Sequence, residues 1–240
     1  MARMVTVEEA KKIKQNQFDK LKSVDEQVIS VMLSSKGKHG YPETVRLRPL
    51  KVKDVKALVE DPINEEIPYV RRLVEVVQGT VLDSGVEIKE MTMPDFRKIL
   101  LAHRVNSIGK TIELSFRCSC RNDLQVVPFD LMNLDEKMID DNYVEPVEVG
   151  GIQVRFPRVW GYLPDGKKNF DEVNDYDILA SVVIGKDVDD LLLSEARGAL
   201  EFVRKWEMSY GVQTEIEVPC KYCGKKVKIG IPFFLLLSVW

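Results

Sequence analysis

Thr111-Ile112-Glu113-Leu114-Ser115-Phe116-Arg117-Cys118-Ser119-Cys120 and Thr214-Glu215-Ile216-Glu217-Val218-Pro219-Cys220-Lys221-Tyr222-Cys223-Gly224 share one plan. Each is an alternating segment that runs into a close pair of cysteines. Ile112, Leu114 and Phe116 fall on one side of the first; Val212, Thr214, Ile216 and Val218 alternate with Gln213, Glu215 and Glu217 in the second. That period of two is the period of a strand. Leu124 to Phe129 supplies a return strand after the first pair, and Val227 and Ile229 lie on a strand after the second. Both pairs therefore sit at the tips of strand–turn–strand units. Four thiolates are what a closed structural zinc site needs, and here they would join the middle of the chain to its C-terminal end.

The second pair has the zinc-knuckle form. Gly224 lets the backbone turn and aim N–H groups at sulfur, and Lys221, Lys225 and Lys226 offset thiolate charge. Cys118-Ser119-Cys120 has a shorter bite and needs an unusual turn to serve the same ion. Two metal-free reduced pairs, a disulfide, an iron–sulfur centre and a site completed by another chain are the alternatives that spacing leaves open. With no fifth ligand and no histidine beside the cysteines, a bound Zn2+ is structural, and its removal loosens the strands.

The rest of the composition excludes more than it suggests. The 240 residues are 45% hydrophobic and 30% charged with a net charge of -3, which gives no basic excess for nucleic acid. The first residues turn acidic and polar where a secretory signal has its apolar region, and Ile231–Trp240 is too short to span a bilayer. A reducing cytoplasm and no membrane are the expectation, which favours metal over disulfides. His39 and His103 are the only histidines, so a histidine-based catalytic site is not expected; His103 reads as a packing or surface residue. No phosphate loop, dinucleotide fingerprint, zinc-protease motif or nucleophile elbow occurs, and Gly109-Lys110-Thr111 lacks the upstream glycines of a P-loop. The acidic stretch Asp135–Val149 reads as a solvated linker.

The spacing predicts an amphipathic helix from Glu8 to about Ser35, with Phe18, Leu21, Val24, Val28 and Met32 as its stripe. A short strand is expected at Thr44–Arg48 and helices at Val52–Leu58 and Tyr69–Val77. Thr92-Met93-Pro94-Asp95 reads as a helix start with Thr92 as cap and Asp95 answering it, followed by a face of Phe96, Ile99, Leu100 and His103. Helices are also expected at Asp175–Val183 and Val188–Tyr210, the second with Leu192, Ala196, Leu200, Val203 and Trp206 inward. The fold class is α+β: a helical N-terminal region, a small antiparallel β platform of two hairpins around the four-cysteine zinc site, and an α-rich insertion between them. The organisation divides into a helical arm (1–40), a helical region leading to the first cysteine hairpin (41–131), an acidic linker with strands and helices (132–209), and the second hairpin with an apolar tail (210–240).

That tail, with Phe233, Phe234, Leu236 and Trp240, must be buried in the core or on a partner, since an exposed apolar end invites aggregation. Together with Phe18, Leu21 and Val24 of the arm it forms the candidate partner surface. Arg117-Cys118-Ser119-Cys120, the return Val126-Val127-Pro128-Phe129-Asp130-Leu131, and Val218-Pro219-Cys220-Lys221-Tyr222-Cys223-Gly224 followed by Pro232-Phe233-Phe234 resemble the T4-type bacteriophage baseplate-hub assembly proteins, over roughly Leu47–Leu131 and Tyr210–Trp240. The resemblance implies a non-enzymatic structural or assembly part of a contractile tail. Its partners would be phage baseplate or hub proteins, with self-association possible, and its place the virion baseplate or the host cytoplasm during assembly. It also implies a zinc-stabilising role for Cys118, Cys120, Cys220 and Cys223, and brings no catalytic residues. The competing expectation is a zinc-ribbon module that binds nucleic acid or regulates, suggested by Lys221, Lys225, Lys226 and Lys228.

Overall fold

A computed structural model of the chain describes residues 28–59, 65–207 and 209–231. Ile29 and Val31 are buried while Ser30 and Met32 face outward, so Ile29–Met32 is a strand, β1, and not the end of a helix. It pairs antiparallel with β2, Thr44–Leu47. The helical spacing that carries Val28 and Met32 is real in the sequence, but pairing with β2 sets the local period to two. Phe18, Leu21 and Val24 lie outside the described residues.

Helices α1 (Val52–Val59), α2 (Glu66–Gln78) and α3 (Met93–His103) follow, each near its expected place. Val70, Leu73 and Val77 of α2 and Phe96, Ile99 and Leu100 of α3 are buried together with Val31, Leu33, Val45 and Leu47 in the main core. The start of α3 is held differently from a capping box. The Thr92 side chain makes no cap bond; the Thr92 N–H goes to the Tyr41 hydroxyl (3.2 Å), and buried Asp95 accepts from Ser35 N–H (3.1 Å) and Tyr41 Oη (2.6 Å). The chain then makes one turn of π-helix, Arg104–Ile108, before Gly109 releases it into β3.

β3 (Thr111–Arg117) and β4 (Leu124–Asp130) form the first cysteine hairpin; β10 (Glu215–Pro219) and β11 (Lys226–Gly230) form the second. Leu114, Phe116, Val218 and Ile231 bring both hairpins onto the main core. The segment between them contains β5 (Glu136–Lys137), β6 (Val147–Val149), β7 (Ile152–Val154), α4 (Asp175–Val182), β8 (Val183–Ile184) and α5 (Leu193–Glu207), before β9 (Gly211–Val212) pairs back onto β5. β6, β7 and β8 make a three-stranded antiparallel sheet whose Ile152 and Val154 pack with Leu179, Val182, Ala199 and Val203. The last helix begins later than its spacing suggests, and Leu192 is exposed rather than inward, because Val188–Asp190 winds as a separate 3-10 turn. Gly211 has φ +90°, and a Cβ there would stand 2.5 Å from Pro94 Cβ, so only glycine lets β9 lie on the first turn of α3. Among the described residues no helix is long and apolar enough to cross a membrane.

His103 packs inside the main core as a neutral ring. The Thr80 hydroxyl donates to Val77 O (2.6 Å), so His103 Nε2, 2.9 Å away, donates to Thr80, and its Nδ1 has no partner among the described residues. Burial, with Arg48 nearby, pushes its pKa down to about 4, although Asp54 opposes this. The folded pKa lies below the unfolded one. Stability is therefore full above about pH 6.5 and is lost as pH falls towards 4, in total about 3 kcal/mol. His103→Gln, measured by urea unfolding of zinc-saturated protein between pH 4 and 7, should remove up to about 1.4 kcal/mol per pH unit from the slope. An unchanged slope would show that this ring takes up its proton in the folded state.

Candidate metal centre

The two hairpins meet at their tips. Cys118 Sγ lies 3.7 Å from Cys223 Sγ, and Cys120 Sγ lies 3.6 Å from Cys220 Sγ, so both close contacts cross between hairpins. All four sulfurs lie within 4.8 Å of one another. A disulfide requires about 2.05 Å, so these are four free thiols. A tetrahedral zinc with bonds of about 2.3 Å to sulfur has sulfur–sulfur edges of about 3.8 Å, which the two short contacts match. The cluster thus fits a structural zinc site, with all four positions filled by protein sulfur. The ion would supply cohesion between the hairpins.

The short first knuckle uses the same turn as the second. The Gly224 N–H bonds to Cys220 O (2.8 Å), and the Asn122 N–H bonds to Cys118 O (2.8 Å). Gly224 and Asn122 occupy the same position, four residues after the first cysteine, and both are left-handed, at φ +71° and +56°. Glycine and asparagine are the residues that tolerate this conformation best. In each knuckle the first cysteine is buried and the second exposed. The difference is only where along one turn the second sulfur is mounted, at the third residue or the fourth. No unusual turn is needed.

Gln125 is the supporting residue that the sequence reading missed. Its amide Nε2 donates to Cys220 Sγ (3.3 Å) and its Oε1 accepts from the Lys221 N–H (3.1 Å), tying the first hairpin to the second knuckle. The signal was there: in β4, Leu124 and Val126 face outward and polar Gln125 faces in, at 2% exposure. The inner face at that point is sulfur rather than hydrocarbon. Burial pushes the Cys220 thiol up, but N–H groups of Cys223 and Tyr222 and the Gln125 amide outweigh it and bring the pKa down to about 6. Burial and the neighbouring thiols push Cys120 up to about 12. The N–H groups and the Gln125 amide thus favour negative charge on the Cys220 sulfur.

The exposed face of the tips carries Tyr222 with the Arg121 guanidinium 4.6 Å and the Lys221 ammonium 4.9 Å from its ring centre. Lys226 and Lys228 are paired with Glu217 and Glu215 on their own hairpin.

A second buried polar cluster corrects the reading of Asp135–Val149 as a solvated linker at Glu145, while Glu136, Asp140, Asp141 and Glu148 are exposed. Glu145 Oε2 accepts from His39 Nδ1 (2.8 Å) and Arg158 Nη2 (2.8 Å), and its Oε1 accepts from the Phe156 N–H (2.6 Å). His39 Nε2 lies 2.9 Å from the Tyr210 hydroxyl, which in turn lies 2.8 Å from Thr92 Oγ1. Tyr143, Phe156 and Tyr210 enclose it. Other acids of the stretch are also engaged: Glu136 with Ser34 and Lys98, and Asp141 with Lys36. The groups of this cluster bind one another and fasten the inserted segment to α3 and to the β1–β2 connection.

The structure therefore brings together all four cysteines. Phe18, Leu21, Val24, Phe233, Phe234, Leu236 and Trp240 lie outside the described residues. A search of curated proteins and a search of solved structures each returned no match. A family model described as T4 bacteriophage base plate protein matches residues 25–184, which takes in the first knuckle, α3 and the buried His39–Glu145–Arg158 cluster. The chain belongs to the T4 bacteriophage base plate protein family, and with that membership its role is a structural or assembly one, without enzymatic activity.

Proposed function

We propose that this chain is a zinc-fastened component of the baseplate hub, built into the particle through protein–protein contacts. The observation that carries the reading is the family match across residues 25–184, in a chain whose four cysteines lie at zinc-ligand spacing. In this reading Cys118, Cys120, Cys220 and Cys223 hold one Zn2+. The metal fixes the relative position of two hairpins that contribute separate sheets, giving partners a rigid surface. Phe18, Leu21 and Val24 supply an apolar contact to a neighbouring baseplate protein.

The test is affinity purification of the tagged chain from infected cells, followed by identification of what travels with it. Baseplate proteins should co-purify in fixed proportion, and Leu21→Asp combined with Val24→Asp should release them while zinc content is unchanged. Recovery of the wild-type chain alone would contradict the assembly role of these residues. The nucleic-acid reading has one observation in its favour, the Arg121–Tyr222–Lys221 stack at the knuckle tips. Against it stand the net charge of -3 and the pairing of Lys226 and Lys228 within the hairpin. A titration with single- and double-stranded DNA at low salt should give no binding; salt-dependent binding lost in Arg121→Ala would favour it instead.

A further inference from the structure

β1 has a strand neighbour on one edge only among the described residues. The Leu33 N–H points to β2, donating to Glu43 O (2.8 Å). Alternation then turns Ile29 and Val31 towards β2 and the backbone groups of Ser30 and Met32 the other way. One residue pair further on, that outer edge is in use: Ser34 O accepts from the Ile139 N–H (2.9 Å). At Ser30 and Met32 it has no partner among the described residues. Beside it lies an open groove of about 300 Å³, walled by β1, by Lys98, Leu101, Ala102 and Val105 of α3 and its π turn, and by Met132. Met32 and Met132 are each more than half exposed. An unpaired edge next to an apolar wall is an acceptor for an extended apolar segment and a hazard if left open.

We propose that this groove receives residues 232–240 of the same chain as an added strand on β1. Length and starting point support this occupant. The described chain ends at buried Ile231, whose N–H bonds to Thr214 O (2.8 Å); the adjacent Gln213 N–H bonds to Asp135 O (2.8 Å). Asp135 is three residues from Met132 on the rim of the groove, and the following Glu136 is bonded to Lys98 on its other wall. The tail thus starts close to the groove, and its nine residues, extended, span about 30 Å. Pairing with the four residues of β1 takes about 13 Å of that length and leaves about 17 Å for the approach. The chemistry matches as well: Pro232-Phe233-Phe234-Leu235-Leu236-Leu237-Ser238-Val239-Trp240 has no charged side chain.

Backbone amide exchange of the full chain, read at Ser30 and Met32 at two protein concentrations, tests the proposal. Both amides should be protected in the full chain and should exchange at least about 10-fold faster in a variant ending at Ile231, with zinc content unchanged. Ala102→Arg, which fills the groove and keeps the tail, should produce the same loss of protection, so the test survives poor folding of the shortened chain. Fast exchange in the full chain, or protection that survives both changes, would overturn the proposal. Protection lost instead on removing residues 1–27 would assign the groove to the N-terminal segment, and protection that grows with concentration would assign it to a second copy; either result overturns it.

Discussion

Cys220→Ser is expected to release the metal and unfasten the two cysteine hairpins while leaving the helical core folded. Cys220 is buried and faces Cys120 on the other hairpin at 3.6 Å, and it alone receives the Gln125 amide. In structural sites zinc contributes on the order of 10 kcal/mol to folding, so loss of one of four ligands has a large effect where the metal acts. The effect should be local. β3–β4 and β10–β11 are separate two-stranded sheets, packed on the main core and joined at their tips by the sulfurs and Gln125, whereas α2 and α3 are held by their own apolar faces. Metal analysis should show one zinc per wild-type chain and less in the variant, and exchange should rise in both hairpins but not in α3. Gln125→Leu should keep the ligands and weaken zinc binding by about 10- to 100-fold, the usual effect of removing a group that orients a ligand. A Cys220→Ser protein that keeps its metal and its hairpin protection would show that the sulfurs do not join the sheets.

Glu145→Gln is expected to destabilise the protein by about 3–5 kcal/mol, the usual cost of leaving a buried charge without its partner. The substitution keeps the size of the side chain but leaves the Arg158 guanidinium without its anion, in a site where the Glu145 side chain is about 9% exposed. The pH dependence follows from the same geometry. Burial pushes the Glu145 carboxyl up, but the His39 bond and the Arg158 charge outweigh it and hold its pKa below the usual carboxylate range. Its contribution is therefore present above the unfolded carboxylate pKa of about 4.3 and is lost as pH falls through the lower folded value. Guanidinium unfolding at pH 7 measures the loss directly. A cost under about 1 kcal/mol would mean the pair behaves as a solvated surface bridge.

These two clusters mark where the sequence could and could not be read. The cysteine hairpins were legible because both the alternation and the ligand spacing are local, and the Phe96–His103 face of α3 because its spacing is local too. β1 was not: Phe18, Leu21, Val24, Val28 and Met32 continue at helical steps, and what makes Ile29–Met32 a strand is pairing with Thr44–Leu47. Glu145 could not be told from Glu136 or Glu148, since its partners His39 and Arg158 lie 106 and 13 residues away. The apparent oddity of Cys118-Ser119-Cys120 was an artefact of counting from cysteine to cysteine. Counted from the first cysteine to the left-handed residue, Cys118–Asn122 and Cys220–Gly224 are the same length.

The central claim is that four sulfurs from two distant hairpins hold one metal ion, and cobalt substitution tests it most directly. One Co2+ per chain, with the strong sulfur-to-metal charge-transfer bands and the tetrahedral visible spectrum of four thiolate ligands, is the predicted result. Binding of one ion by each cysteine pair, or a spectrum showing fewer than four sulfurs, would contradict it.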